Sequence, residues 1–259
     1  MVTVNDILTY MNTLAPASMK MDWDNVGLLC GSYGQQVKKV LVALDPFESV
    51  CQEALQEGAD LLVTHHPLIF KAPQAITDSN SVGRSILFLA KHGISAINAH
   101  TNLDCAQGGV NDTLARILGL ARVTPIPCGE TAGPGLLRQG EVPEQTMEKF
   151  LYRVKTLLGC EGLRYVNSKK PVRHVAVGGG ACASEMLDAL AAGCDTFVTA
   201  DVKYNQFWDA HDLGLNLIDA GHFATENPVV SVLTEKIRKA FPDLQVKISE
   251  THADCMKFY

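Results

Sequence analysis

Two consecutive histidines and a proline, His65–His66–Pro67, close the apolar run Leu61–Leu62–Val63–Thr64. Successive residues of a strand point to opposite faces, so one of two adjacent imidazoles would enter an apolar layer unless the chain turns there. Pro67 holds His66 extended and cannot donate to a sheet, which makes the pair a strand terminus with both rings available to one cleft. Two later apolar runs end in a similar way. "SAINAH" is followed by "TNLD", placing Asp104 just beyond it, and "LNLIDAG" is followed by "HFATENP", placing His222 and Glu226 beyond that. His222 and Glu226 are spaced i, i+4, so a helical start puts them on one face. In an open parallel sheet, functional groups gather outside the carboxyl ends of the strands.

Imidazole combined with carboxylate suits Zn²⁺, Fe²⁺ or Mn²⁺. The set His65, His66, Asp104, His222 and Glu226 has more donors than one tetrahedral zinc requires. Adjacent histidines also chelate a single ion awkwardly and serve one ion each with ease. Both points favour two divalent metal ions per chain with a bridging carboxylate. A hydrogen-bonded polar cluster in a cleft accounts for the same residues without metal.

The elements that must carry these residues come in two related sets. The stretch from Val37 to Pro67 aligns without a gap on that from Val172 to Val202, with about a third of positions identical. Each copy reads as an apolar strand, a turn, an amphipathic helix closed by glycine (Gly58, Gly193) and a second apolar strand. The segments 92–104 and 213–226 extend the likeness. Buried strands alternating with helices predict an α/β fold with largely parallel sheets. The chain is thus expected to form two α/β modules from an internal duplication, over 1–125 and 126–259, with the metal site between them. The Gly- and Pro-rich stretch 125–140 is the predicted connection. In this alignment Ala200 and Asp201 stand where the first module has His65 and His66, so the second module supplies His222 and Glu226 from its next strand end, and one composite centre is expected per chain.

Bulk properties narrow the function classes. A formal charge of −6 provides no basic field, so nucleic-acid binding is unsupported. No apolar run approaches the ~20 residues of a membrane helix. The start lacks a basic stretch followed by an apolar one, so no signal peptide is expected. The eight cysteines are scattered without a C-x-x-C pair, which points to buried thiols in a reducing cytoplasm.

The motifs "WDNVGLLCG" (23–31), "GADLLVTHHPLIF" (58–70), "NAHTNLDCAQGGVNDTLA" (98–115), "VAVGGGA" (175–181) and "DAGHFATE" (219–226) resemble the Nif-three-like family, whose members carry the name GTP cyclohydrolase 1 type 2 homologue. The resemblance covers nearly the whole chain in order. It implies two similar α/β domains, a dinuclear metal centre held by His65, His66, Asp104, His222 and Glu226, and a ring-shaped homohexamer. Many relatives have a histidine after the Lys-Tyr of the second module, where this chain has Asn205. A proton-transfer step assigned to that histidine would then fall to Lys203, Tyr204 or His100.

Three other features invite a functional reading. "AVGGGAC" after a strand is similar to a phosphate-cradling loop but lacks the full G-x-G-x-x-G and the P-loop lysine, so a tight strand-to-helix turn is expected. "WDNVG" reads either as a substrate-facing loop carrying Asp24 and Asn25 or as a packing anchor at Trp23. His100 precedes Asp104 by four and reads as an orienting partner or a core residue. His92, His174, His211 and His252 show no pattern.

The leading expectation is a metal-dependent hydrolase using metal-activated water on a small molecule, either opening the ring of a nucleotide or cleaving a phosphoester. The alternatives are a non-catalytic hexameric scaffold or regulator, and a metal carrier.

Overall fold

The computed structural model describes residues 1–127 and 135–259. In chain order the elements begin with α1 (Val4–Leu14), β1 (Gly27–Cys30), β2 (Lys39–Ala43), α2 (Glu48–Gln56), β3 (Leu61–Thr64), α3 (Ser81–His92), β4 (Ser95–Asn98) and α4 (Thr101–Cys105). They continue with α5 (Val110–Ile117), β5 (Ala121–Ile126), β6 (Leu137–Gln145), α6 (Met147–Leu158), β7 (Arg164–Val166), β8 (Val172–Val177), α7 (Met186–Ala191), β9 (Thr196–Thr199), α8 (Tyr204–Leu213), β10 (Asn216–Asp219) and α9 (His222–Glu226). The last are α10 (Pro228–Ala240) and β11 (Gln245–Ile248).

The chain divides into two compact units, Met1–Ala106 with Val229–Ala253, and Gln107–Pro228 with Asp254–Tyr259. This differs from a split into 1–125 and 126–259 in two ways. β5 and β6 pair antiparallel and belong to one sheet, so the predicted connection at 125–140 lies inside the second unit. Part of it, 128–134, falls outside the described residues. The chain also returns to the first unit at its end, because β11 pairs parallel with β2.

The first unit holds a five-stranded sheet in the order β1-β4-β3-β2-β11, parallel except for the edge strand β1. The second holds a six-stranded sheet in the order β5-β6-β8-β9-β10-β7, in which only β8-β9-β10 run parallel. That sheet is mixed rather than largely parallel.

The two aligned segments match in detail. Val40 pairs with Leu61 in the first sheet, and their aligned counterparts Val175 and Thr196 pair in the second. Asp60 accepts hydrogen bonds from the amides of Lys38 and Lys39, and its counterpart Asp195 accepts them from Arg173 and His174. A carboxylate that fixes the start of one strand against the next is a register device, and it recurs here at aligned positions. Gly58 and Gly193 close the two aligned helices at φ +65° and +82°, a region costly for other residues.

Each unit has its own apolar core. Leu41, Val50, Ala54, Leu62, Leu89 and Ala96 pack together in the first, and Leu114, Phe150, Val175, Val177, Val198 and Ile218 in the second. These cores set the strands, so the strand ends are rigid places on which to mount polar side chains.

The returning segment is tied down by Glu53 of α2, which is only 7% exposed. Its carboxylate accepts from the Ser249 hydroxyl, the Glu250 amide (2.7 Å), the Thr251 amide (3.3 Å) and the Thr251 hydroxyl (2.6 Å). Burial alone would raise its pKa, but these hydrogen bonds outweigh it and hold the group below the ordinary value of 4.5. The stabilisation from this ionised form is therefore full above that value and is lost as the pH falls through the lowered one. Glu53→Gln removes the charge and presents an NH₂ to donors. The expected loss in urea unfolding at pH 7 is about 1.5–3 kcal/mol, the range for hydrogen bonds to a charged group. The difference from the parent should shrink in acid.

Candidate metal centre

In the first unit the polar residues gather at one end of the sheet because each follows a strand's carboxyl end. Asp45 follows β2, His65 and His66 follow β3, His100 and Asp104 follow β4, and His252 follows β11. Asp24 precedes β1, whose antiparallel course brings its beginning beside the end of β4 at the Gly27–Asn98 pair.

The chain turns after Thr64, whose hydroxyl donates to the His66 carbonyl at 2.7 Å, while the His66 amide still donates to Leu44 at 2.9 Å. The two rings end on the same side, with centroids 4.9 Å apart. His100 joins them at 5.2 Å from His65 and 5.5 Å from His66. Each of the three offers a ring nitrogen, and these nitrogens lie within 4.8 Å of one another.

The outer nitrogens show how the rings are held. His65 is fully buried, and its Nδ1 lies 2.9 Å from the Ala99 carbonyl, an acceptor only. Nδ1 therefore carries the hydrogen and Nε2 the lone pair. That Nε2 is 3.6 Å from Asp104 Oδ1. His66 Nδ1 lies 2.7 Å from Asp45 Oδ1, and His100 Nδ1 lies 2.8 Å from Asp24 Oδ1. Burial opposes ionisation of both aspartates. The bonds from His252 and His66 to Asp45, and from His100 and Thr101 to Asp24, overcome it and hold both well below the usual carboxylate range. These carboxylates are thus acceptors, and each fixes its histidine with Nδ1 protonated. Three imidazoles each held through Nδ1 bring ring nitrogens within 4.8 Å of one another, a grouping that could hold a metal ion. Orienting a ligand histidine through its second nitrogen is the usual partnership at metal sites.

In the second unit α9 presents His222 and Glu226 on one face, with His222 Nε2 2.9 Å from Glu226 Oε2. The i, i+4 spacing forms as the sequence predicts, since Asn227–Pro228 interrupts the helix only after Glu226. His222 Nδ1 lies 2.7 Å from Asp201 Oδ2, repeating the pattern of the first unit. Asp201 adopts φ +51°, uncommon for any residue with a β-carbon.

The loop Gly178–Gly180 is not an anion cradle. Its amides donate to Val198, to Asn111 and to Thr225, and the Cys182 amide donates to the Gly180 carbonyl and the Thr199 hydroxyl. It is the tight strand-to-helix turn that its sequence suggests. Its glycines are needed because a β-carbon on Gly180 would lie 2.1 Å from Glu226 Oε1.

A family model for Duf34/NIF3 (NGG1p interacting factor 3) matches residues 2–255. The chain belongs to the Duf34/NIF3 family. A Clostridium perfringens protein named GTP cyclohydrolase 1 type 2 homolog is 35% identical over 98% of this chain and 99% of its own. Among solved structures, a Bacillus cereus protein related to NIF3 superposes with a TM-score of 0.91 at 25% identity, covering 100% of this chain and 99% of its own. A Staphylococcus aureus protein superposes with a TM-score of 0.89 at 27% identity, with coverage of 100% and 99%.

Within this Duf34/NIF3 chain, the first unit brings His65, His66, His100 and Asp104 to one strand-end cluster, and the second brings His222 and Glu226 together on α9. The other candidates fall elsewhere. Asp24 is buried under His100, accepting also from the Thr101 amide and hydroxyl, so it holds a ring rather than facing a ligand. Asn25 is likewise engaged, donating to the Ile69 carbonyl at 2.7 Å and bracing the loop after Pro67. Lys203 and Tyr204 open α8 with exposed side chains, Tyr204 at 79%, and Asn205 beside them is exposed too. Two residues escape the sequence reading, Asp45 and His252, which bond each other at 2.9 Å behind His66. Both stand just past strand ends, the signal that found the others.

Asp201 is an orienting group rather than a bystander. Asp201→Ala is expected to weaken metal affinity by about ten- to hundredfold, the usual cost of losing such a partner. Stoichiometry at saturating metal should stay near that of the parent. A competition titration against a chelator reads the first, and elemental analysis the second.

Proposed function

We propose that this Duf34/NIF3 protein is a hydrolase dependent on two divalent metal ions, acting on a small molecule. His65, His66 and Asp104 from one unit and His222 and Glu226 from the other act on one pair of ions in this reading, with His100 as a further ligand or the nearest proton carrier. The observation that carries it is the shared tether: His65, His66, His100 and His222 are each held through Nδ1. Each tether leaves Nε2 as the metal-binding nitrogen in this reading, with the Glu226 carboxylate beside that of His222, and the donor set suits Zn²⁺, Fe²⁺ or Mn²⁺. Bound divalent ions supply Lewis acidity, which polarises the bond under attack and acidifies water. The chain's own residues orient that chemistry. Asp24 and Asp45, held ionised, keep their imidazoles in one tautomer, and His100 stands where it can take or return a proton.

The name of the Clostridium perfringens relative favours a nucleotide whose ring is opened, with a phosphoester as the other substrate class. A homohexamer in the cytoplasm completes the proposal. The cytoplasmic placement is supported by seven cysteines that form no disulfide among the described residues.

The test is a screen of metal-loaded protein against nucleotides and phosphoesters, read by chromatography of products, with His65→Ala as control. Turnover that requires metal and disappears in His65→Ala is expected. Full metal loading without turnover of either class would replace the hydrolase with a carrier or scaffold.

A further inference from the structure

Beside the three imidazoles stand two aromatic rings that the fold does not bury. Trp23 is 61% exposed and Phe70 is 47% exposed. Their centroids are 5.7 Å apart, and each lies close to His100, Trp23 at 6.2 Å and Phe70 at 6.1 Å. His100 in turn touches His65 and His66. Trp23 and Phe70 meet at 66°.

The corner is built rather than incidental. Asn25 donates to the Ile69 carbonyl at 2.7 Å, tying the Trp23 loop to the Phe70 loop. The Met21 amide donates to Thr101 at 3.0 Å, and Lys20 donates to the Asp24 carbonyl at 2.9 Å. Asp24, between Trp23 and Asn25, is buried and bonded to His100. Four polar contacts thus hold an exposed tryptophan in one place beside the candidate chemistry, where a folding role alone would have buried it.

We propose that Trp23 and Phe70 form a binding platform for a planar heteroaromatic ring, set so that the ring's edge faces His100. A flat ring in such a corner stacks on one aromatic face and offers its edge to the other, and both arrangements are favoured by the ring quadrupoles. An aliphatic chain gains neither. The proposal rests on the hydrolase reading for what happens to the ring, but binding is measured without turnover.

The chain has two tryptophans, so Trp208→Phe leaves Trp23 as the sole indole reporter. In that metal-loaded background, guanosine monophosphate is expected to quench Trp23 emission saturably, and ribose 5-phosphate to leave it unchanged. Trp23→Ala in the parent chain should raise the Kd for guanosine monophosphate, measured by equilibrium dialysis, about ten- to hundredfold, the cost of removing one base-stacking side chain. Trp23→Phe should recover most of it. Metal content and circular dichroism should match the parent in both. Nucleotide binding in Trp23→Ala equal to the parent's overturns the platform, even in a protein that hydrolyses phosphoesters. So does absence of saturable quenching, or a Trp23 emission that is blue-shifted and shielded from iodide, which would mean another protein surface covers it. Saturable binding with no turnover of any nucleotide or phosphoester in the screen leaves the platform standing and removes the hydrolase.

Discussion

His65→Ala and His222→Ala are each expected to lose metal affinity by more than the ~10–100-fold typical of an orienting partner, because each removes a proposed ligand rather than its support. The reconstituted parent should hold two ions per chain. The two histidines belong to different units and are separated by more than half the sequence. If their ligand sets act on one composite centre, the double variant will lose little beyond the worse single variant. Energies of residues acting on one centre are strongly non-additive, whereas those of independent sites add. Elemental analysis with a metal titration of the four proteins decides the matter. Additive losses, each single variant giving up one ion and keeping the other at full affinity, would divide the centre into two separate sites.

Gly180→Ala is expected to damage the same site through packing. The added β-carbon would stand 2.1 Å from Glu226 Oε1, 3.0 Å from its Cδ and 3.1 Å from His222 Cε1, at a residue with φ +62°. Glu226 is 4% exposed and engaged with His222, so its carboxylate has little room to retreat. The left-handed backbone costs about 1–2 kcal/mol and overpacking a further ~1–3 kcal/mol, a total of about 2–5 kcal/mol. Gly193→Ala provides the comparison, since Gly193 has φ +82° and open space around it. It should cost only the backbone share and leave metal affinity unchanged. Urea unfolding and metal titration of both variants check this. Equal effects in the two would show that the crowding at Glu226 is relieved without consequence.

The ligand candidates were legible because the sequence marks strand ends clearly. His65, His66, Asp104, His222 and Glu226 each follow a short apolar run, and the same rule, applied without requiring a histidine beside a carboxylate, reaches Asp45 after β2. His252 was hidden for another reason. β11 reads "QVKI" with three of its four residues exposed, so no apolar run announces it. Its pairing with β2 depends on a strand more than two hundred residues earlier, which no local pattern encodes. The division into units was misplaced on the same account. Composition shows a Gly- and Pro-rich interruption near 125–140, but not that β5 and β6 pair across it. The roles of Asp24 and Asn25 were equally out of reach. Turn propensity identifies the loop, and only the closed fold reveals that Asp24 lies beneath His100 and that Asn25 reaches Ile69.

The late return of β11 has a consequence for the order in which the protein can mature on the ribosome. β2 is complete by Ala43, yet the strand that covers its far edge begins at Gln245. At about 5–20 residues per second, translation leaves that edge open for roughly 10–40 s. Throughout that interval Asp45 faces His66 without His252, and Glu53 has none of the donors that later surround it. An unpaired parallel edge is an invitation to strand addition by another chain. The first unit therefore receives its last strand only after residues 107–228 of the second have been synthesised, and a nascent chain stalled anywhere before Ile248 carries a sticky first unit with a loosely braced His66.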